Sequence, residues 1–334
     1  MSIQPNSQNQ LPSPTILALA GGVGGAKLVA GLEQFLNSPP PRSGTGTDSS
    51  LAVVVNTGDD FEHLGLYIAP DLDSVTYALA DLNDHERGWG MRGETWQFMS
   101  ALQRIGGETW FSLGDQDLAT HVERTRRLTA GMSLSAATAA LIEQLHINAT
   151  VAPMSDQAVR TMVNTDAGTL AFQHYFVREQ CAPKVRGFEY AGAENATPSA
   201  LLQRSLADPN LQAVIICPSN PFISIDPMLA IPGVRAMLQR VTAPIVAVSP
   251  IVGGAAIKGP AAKMLHELGL DVSAEGIAHH YGDLLDGFVI DIEDAALATK
   301  LAPLPVLVTN TMMRNARDRI RLADEVLVFA QKLD

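Results

Sequence analysis

The sequence predicts an α/β fold: a parallel sheet with helices on both faces and a mainly helical insertion lying over the strand ends. Three observations predict it. Short apolar runs recur along the chain with helical stretches between most of them, the pattern of strands buried on both faces. Between residues 76 and 148 no strong alternating strand appears, while 94–105 and 134–145 carry apolar residues at helical spacing. Each strand-like run after residue 210 ends in a polar or glycine-rich loop, where open α/β sheets hold ligands.

Taken in order, residues 1–14 are polar and proline-containing and read as a disordered tail. The run 16–20 is an opening strand, followed by AGGVGGAK and a helical segment over 27–35. Residues 37–50, with PPPR and SGTGTDSS, read as a long loop, and 51–55 as a buried strand. After an acidic stretch, 74–82 reads as a helix, with Asp73 as its N-cap candidate. Further strands are expected at 149–152, 170–177, 213–217, 245–248, 287–290 and 306–308. The expected organisation is a nucleotide-binding core over 15–75 and 149–334, with 76–148 as the helical cap.

The 334 residues allow a large core, and 46% hydrophobic with 17% charged residues is ordinary for a soluble enzyme. A net charge of −12 argues against a nucleic-acid surface. An acidic chain that handles phosphates needs backbone amides, a few Lys or Arg, or a divalent metal. Two cysteines, Cys181 and Cys217, give neither a disulfide framework nor metal spacing, and fit a reducing cytoplasm. No run is apolar and long enough to span a bilayer.

The loops carry the chemistry. In AGGVGGAK, the glycines allow close backbone approach, and the open amides at a helix start favour an anion. The loop reads as a phosphate cradle, with an ordinary strand-to-helix turn as the alternative. It is not a P-loop, because no Gly-Lys-Ser/Thr closes it. As a dinucleotide fingerprint it is poor: the second strand ends at Asn56, where a ribose-binding acid is wanted. The following NTGDDFEHLGLYIAPDLDSV gathers Asp59, Asp60, Glu62, Asp71 and Asp73, hard oxygen ligands suited to Mg²⁺. Asp59 or Asp60 could instead orient or deprotonate an attacking hydroxyl. In LGDQDLATH, Asp115 and Asp117 could orient a polar substrate or cap a helix, and His121 reads as a packed or surface group. PSNPFISIDP offers Ser219, Asn220 and Ser224 on a proline-stiffened loop. SPIVGGAAIKGP offers Gly253, Gly254, Gly259 and Lys258 as a second anion site. The polar residues of TNTMMRN, including Thr309, Asn310 and Arg314, read as an ordinary post-strand loop.

In their order, these stretches resemble the 2-phospholactate transferase family, CofD. The resemblance rests on AGGVGGAK, VVNTGDD, IAPDLDSV, RGWGMRGETW, LGDQDLATH, APMSDQAV, PSNPFISIDP and SPIVGGAAIKGP. It implies a modified Rossmann-like core, Mg²⁺ as cofactor and commonly a homodimer. It also implies a reaction of coenzyme F-420 biosynthesis. The terminal hydroxyl of the deazaflavin alcohol Fo attacks a guanosine diphosphate ester of a three-carbon acid, the phospho-acid is transferred, and GMP leaves. Lactate, enolpyruvate and glycerate esters are all compatible. By this resemblance Asp59 and Asp73 are the metal ligands, with Asp59 and Asp60 as catalytic candidates and Asp60 contacting or activating the Fo hydroxyl. Gly22, Gly24, Gly25 and Lys27 would hold the diphosphate. Ser219, Asn220, Ser224, Gly253, Gly254 and Lys258 would hold the guanosine part or the phosphates. Trp89 and Trp96 could wall the deazaflavin ring. Gln116 stands where many relatives carry Arg, whose charge Gln cannot replace. The competing readings are a nucleotide-binding regulator of the same superfamily, which has no need of Fo, and a dehydrogenase, which would bind NAD.

Overall fold

The computed structural model describes residues 16–38, 50–256 and 259–333. The expected tail (1–14), much of the loop 37–50 and Lys258 lie outside the described residues.

The chain opens with β1 (Ile16–Ala20), α1 (Gly22–Leu36) and β2 (Leu51–Val55). A short hairpin, β3 (Phe61–His63) and β4 (Leu66–Ile68), interrupts the acidic stretch before α2 (Pro70–Leu79). The insertion holds α3 (Gln97–Arg104), α4 (Asp115–Thr129) and α5 (Leu134–Gln144), and leads to β5 (Thr150–Pro153). Next come β6 (Arg160–Thr165), β7 (Gly168–Ala171), β8 (Val185–Ala191), α6 (Ala200–Ala207) and β9 (Ala213–Ile216). The last third runs through α7 (Asp226–Leu229), α8 (Val234–Leu238), β10 (Ile245–Val248), β11 (Ile251–Val252), β12 (Ala255–Ala256), α9 (Ala261–Glu267) and α10 (Ala274–Tyr281). It ends with β13 (Gly287–Asp291), β14 (Val306–Thr309) and α11 (Ala316–Ala330).

Seven strands form one sheet in the order β14-β13-β10-β9-β1-β2-β5, every neighbouring pair parallel. Strand periodicity divides the apolar runs between two cores. Ala18, Val53 and Ile215 face one, against α1, α2, α5 and α11; Leu19, Val54 and Ile216 face the other. That second face is covered by α6 to α10 and by a small antiparallel sheet, β7-β6-β8. The small sheet is not foreseen from sequence, and only its β7 overlaps the strand expected at 170–177. Beyond Ala171 the chain turns into a π-helix, His174–Arg178. The insertion also does more than cap strand ends: α5 buries Leu134 and Ile142 in the core beside β5.

From β1 the chain moves through β2 to the edge at β5, then returns to β9 on the other side of β1. The switch point of the sheet therefore lies between β1 and β9, where their C-terminal loops part and leave a crevice for a ligand.

Candidate active site

The crevice at the switch point is a cavity of about 680 Å³. Its walls come from the β1–α1 loop, the N-terminal turn of α2, the cap, the loop after β9 and the loop after β14.

The glycine loop is fitted to the loop after β9 by direct backbone approach. The Ser219 hydroxyl accepts from Gly21 N at 3.1 Å and donates to Gly21 O at 2.8 Å. A Cβ on Gly24 would lie 2.2 Å from the Pro218 carbonyl oxygen. Gly22 sits at φ 62°, left-handed backbone that favours glycine. A helix leaves its first amides without acceptors of its own. Gly21 N–H is taken by Ser219, and Gly22 N–H donates to Asp71 Oδ1 at 2.7 Å. Val23 and Gly24 follow in the cavity wall. Gly25 is buried beneath it, where a Cβ would meet Ser219 Oγ at 2.8 Å. Lys27 lines the cavity, but its Nζ donates to Met313 O at 3.0 Å and so ties α1 to the loop after β14.

The acidic residues separate into three groups. Asp59 and Asp71 both line the cavity and share one amide. Asn56 Nδ2 lies 2.5 Å from Asp59 Oδ1 and 2.9 Å from Asp71 Oδ2. Burial, and then the Asp71 charge, push Asp59 well above the ordinary carboxylate range; burial pushes Asp71 up to about 6. Asp73 belongs elsewhere. Both terminal nitrogens of the buried Arg124 clasp it, and His121 Nδ1 is 3.6 Å away. His121 Nε2 lies 3.4 Å from Asp117 Oδ1, which also accepts from Tyr77 Oη at 2.5 Å. So Asp73 and Asp59, expected as a metal pair, share the cavity but have different partners. Asp73 is also not an N-cap, because α2 begins at Pro70. Asp73, Asp117 and His121 each offer a ligand atom within 4.8 Å of the others, but the Arg124 guanidinium already neutralises Asp73.

Asp60 forms the third group and does not line the cavity. Tyr67 Oη donates to its Oδ2 at 2.8 Å, and burial pushes its pKa up to about 8 despite the nearby Arg160. The expectation that Asp60 contacts the substrate hydroxyl therefore finds no geometric support.

The remaining expected residues are divided. Ser219, Asn220 and Ser224 line the cavity. Asn220 Oδ1 also accepts from Phe222 N at 3.1 Å, which fixes the loop. Gly253 and Gly254 form the turn between β11 and β12, with φ 56° and 74°, and lie outside the cavity wall. Gly253 N–H donates to Asp294 Oδ2 at 3.0 Å. Asp115 also lies outside the wall: its carboxylate accepts from Phe98 N at 3.0 Å and Gln97 N at 3.1 Å, capping α3. The Gln116 side chain is exposed, donates to Gly93 O at 3.1 Å and lies outside the cavity wall.

Sequence reasoning missed several wall residues. Asp71 was visible in the acidic stretch, but its partner depended on where α2 starts. His121, read as a packed group, faces the cavity, and so do Thr311 to Arg314 after β14. An apolar section is built by Phe111, Phe172 and Phe176, the last two stacked at 5.4 Å and 9°. Trp89 joins the wall while Trp96 stands behind it.

Comparison with known proteins agrees with the motif resemblance. The family model described as 2-phospho-L-lactate transferase CofD matches residues 16–321. A phosphoenolpyruvate transferase of Kitasatospora aureofaciens is 37% identical over 326 residues, covering 93% of this chain and 98% of the relative. One from Mycobacterium tuberculosis is 39% identical over 277 residues, covering 80% and 83%. A solved UPF0052-family protein of Bacillus halodurans shares the fold with a TM-score of 0.59 at 12% identity, covering 95% of this chain and 99% of that one. Among the described residues no helix is long and apolar enough to cross a membrane. On the family match over residues 16–321 and the level of identity to these transferases, the chain belongs to the CofD family of 2-phospho-L-lactate transferases.

Proposed function

We propose that this enzyme transfers the phospho-acid part of a guanosine diphosphate ester of a three-carbon acid to the terminal hydroxyl of the deazaflavin Fo. The Fo oxygen–phosphorus bond forms, the phosphorus–oxygen bond to the GMP phosphate breaks, the hydroxyl proton is lost and GMP leaves. The observation that carries the reading is a cavity in which residues of a helix N-terminus, two buried carboxylates and an aromatic wall meet. Phosphoryl transfer asks chiefly for alignment and neutralised charge. Val23 and Gly24 amides would hold the diphosphate, and Ser219, Asn220 and Ser224 line the side open to the nucleotide. Phe111, Phe172 and Phe176 offer stacking surface to the deazaflavin ring.

The residues fit Mg²⁺. Asp59 and Asp71 are buried carboxylates on one shared amide, the Asp71 charge raises the proton affinity of Asp59, and a divalent cation relieves that repulsion. These two would hold the ion, which would supply neutralisation of the diphosphate charge. The acid transferred by the named relatives, phosphoenolpyruvate, is one of three esters to offer. The test incubates the protein with Fo, Mg²⁺ and the lactyl, enolpyruvyl or glyceryl ester, and weighs the product by mass spectrometry. GMP and an Fo phosphodiester are expected; absence of both with all three esters overturns the proposal.

A further inference from the structure

Arg87 lies in the cavity wall, on the segment joining α2 to α3. Its Nε and Nη2 donate to Asp84 Oδ2 at 3.1 and 2.7 Å, and Nη2 also reaches Met91 O at 3.3 Å. The rings of Trp89 and Trp96 flank it, their centroids 5.3 and 5.1 Å from Cζ. The third nitrogen, Nη1, is buried and has no hydrogen-bond partner among the described residues. A guanidinium fixed by a carboxylate and two indoles, with one nitrogen left over, is organised to take an acceptor from outside the chain. Of the other cations of the wall, Lys27 donates to Met313 O, and Arg314, whose side chain is largely exposed, pairs with Asp318 through Nε.

We propose that Arg87 binds the carboxylate of the three-carbon acid and is the specificity determinant for an acid-bearing ester; this rests on the function proposed above. Position favours the carboxylate over the diphosphate, whose amide donors lie at the start of α1. Val23, Gly24 and Lys27 of α1 line the same cavity as Arg87, Gly88 and Gly90. An acid esterified to a diphosphate held at the start of α1 would extend along that shared wall toward Arg87. Trp89, which flanks the guanidinium, is 45% exposed and stands between Gly88 and Gly90 at φ 81° and 70°, and an acceptor from outside would reach Nη1 once side chains of this wall give way. Gln116 acts differently, bracing the same segment from outside through Gly93 O.

The experiment compares two substrates, the β-lactyl ester of GDP and the β-ethyl ester, which lacks the carboxylate. GMP release with Fo gives kcat/KM, and tryptophan emission follows binding. The wild type should prefer the lactyl ester by about 10- to 100-fold, the range for a charge-assisted contact. Arg87→Gln should erase that preference by slowing the lactyl ester alone, and should abolish the carboxylate-dependent change in emission. Arg87→Lys should keep part of the preference, and it carries the test if circular dichroism shows Arg87→Gln unfolded. Gln116→Arg should keep all of it. Equal slowing of both esters, or an undiminished preference, overturns the proposal. If the wild type turns over neither ester, the proposed function fails; the emission change with the lactyl but not the ethyl ester then decides Arg87 separately.

Discussion

Replacing Gly24 by Ala should disable the site while leaving most of the fold intact. The added Cβ would lie 2.2 Å from Pro218 O, with Pro218 C at 3.4 Å. This oxygen is backbone and has little freedom to retreat. Cys217 N–H donates to Leu19 O at 3.0 Å, and Ser219 is stapled to Gly21 from both sides. Relief therefore requires α1 and the loop after β9 to part by about 1 Å, an overpacking cost of about 1–3 kcal/mol. Ala for Gly within a helix returns about 1 kcal/mol, so the net loss in unfolding free energy is about 0–2 kcal/mol. Catalysis should suffer more, because a displacement of about 1 Å at a positioned reacting group costs about 100-fold in rate. Two neighbours serve as controls. In Gly25→Ala the clash is with the Ser219 hydroxyl at 2.8 Å, a side chain that can turn away without moving backbone, though at the cost of its two hydrogen bonds to Gly21. Gly22→Ala meets nothing within 4 Å but is strained by its φ of 62°. Urea denaturation and GMP release would be measured on all three. Wild-type turnover and guanosine nucleotide affinity in Gly24→Ala, or greater damage in Gly25→Ala, would refute the steric account.

Three further outcomes are expected. Asp59→Asn and Asp71→Asn should each lower GMP release by about 100-fold or more, as loss of a charge-neutralising ligand does, without lowering the melting temperature; near-wild-type turnover in either removes it from the metal site. Arg124→Met leaves Asp73 buried without its cation and should lower unfolding free energy by about 3–5 kcal/mol. Adding Asp73→Asn should recover most of that in urea titrations, and no recovery refutes the pairing. The third concerns pH. Asp71, at about 6, and Asp60, at about 8, are acids with raised folded-state pKa values, so their protonated forms favour the fold and that stability is lost as pH rises through those values. Calorimetry of metal-free protein should show a melting temperature falling between about pH 4 and pH 8, with Mg²⁺ raising it at the alkaline end, where the Asp59–Asp71 pair has lost its protons; a Mg²⁺ effect equal at both ends would contradict the coupling.

The parallel sheet was legible because its strands are buried on both faces and so read as unbroken apolar runs, LALA, LAVVV and AVII among them. The small sheet was not, because RTMVNT and VRGFEYA are only half buried and mix polar residues into short strands. LAFQHYFV reads as a strand on composition alone. In the structure it bends into a π-helix, which sets Phe172 over Phe176. For the site, the acidic stretch was recognised but its pairing was not, and the reason is geometric. Asp71 and Asp73 are two apart on a helix, hence about 200° apart around its axis. Placing the helix start at Ser74 hid this; with α2 starting at Pro70, Asp71 turns to Gly22 and Asn56 while Asp73 turns to Arg124. Asp115 and the Gly253–Gly254 turn differ in the opposite way: residues of the right type in a matching motif that in the structure lie outside the cavity wall, capping α3 and turning between β11 and β12.

The position of Asp71 also explains why a glycine loop without a closing Ser or Thr suits this chemistry. A helix N-terminus attracts anions, and here the chain has placed its own carboxylate on the first helical amide, at 2.7 Å. A diphosphate reaching the next amides comes close to Asp71 and Asp59, in a chain of net charge −12. Lys27 is turned toward Met313, and Arg124 is engaged by Asp73. Anions this close repel strongly wherever water is excluded. On the proposed function, the loop would serve as a phosphate site together with a cation that the two aspartates can hold. Asn56 keeps those aspartates in place by hydrogen bonds from a neutral amide, which positions the pair without neutralising it. The residue that spoils the dinucleotide fingerprint at the end of β2 is thus the one that organises the acidic pair.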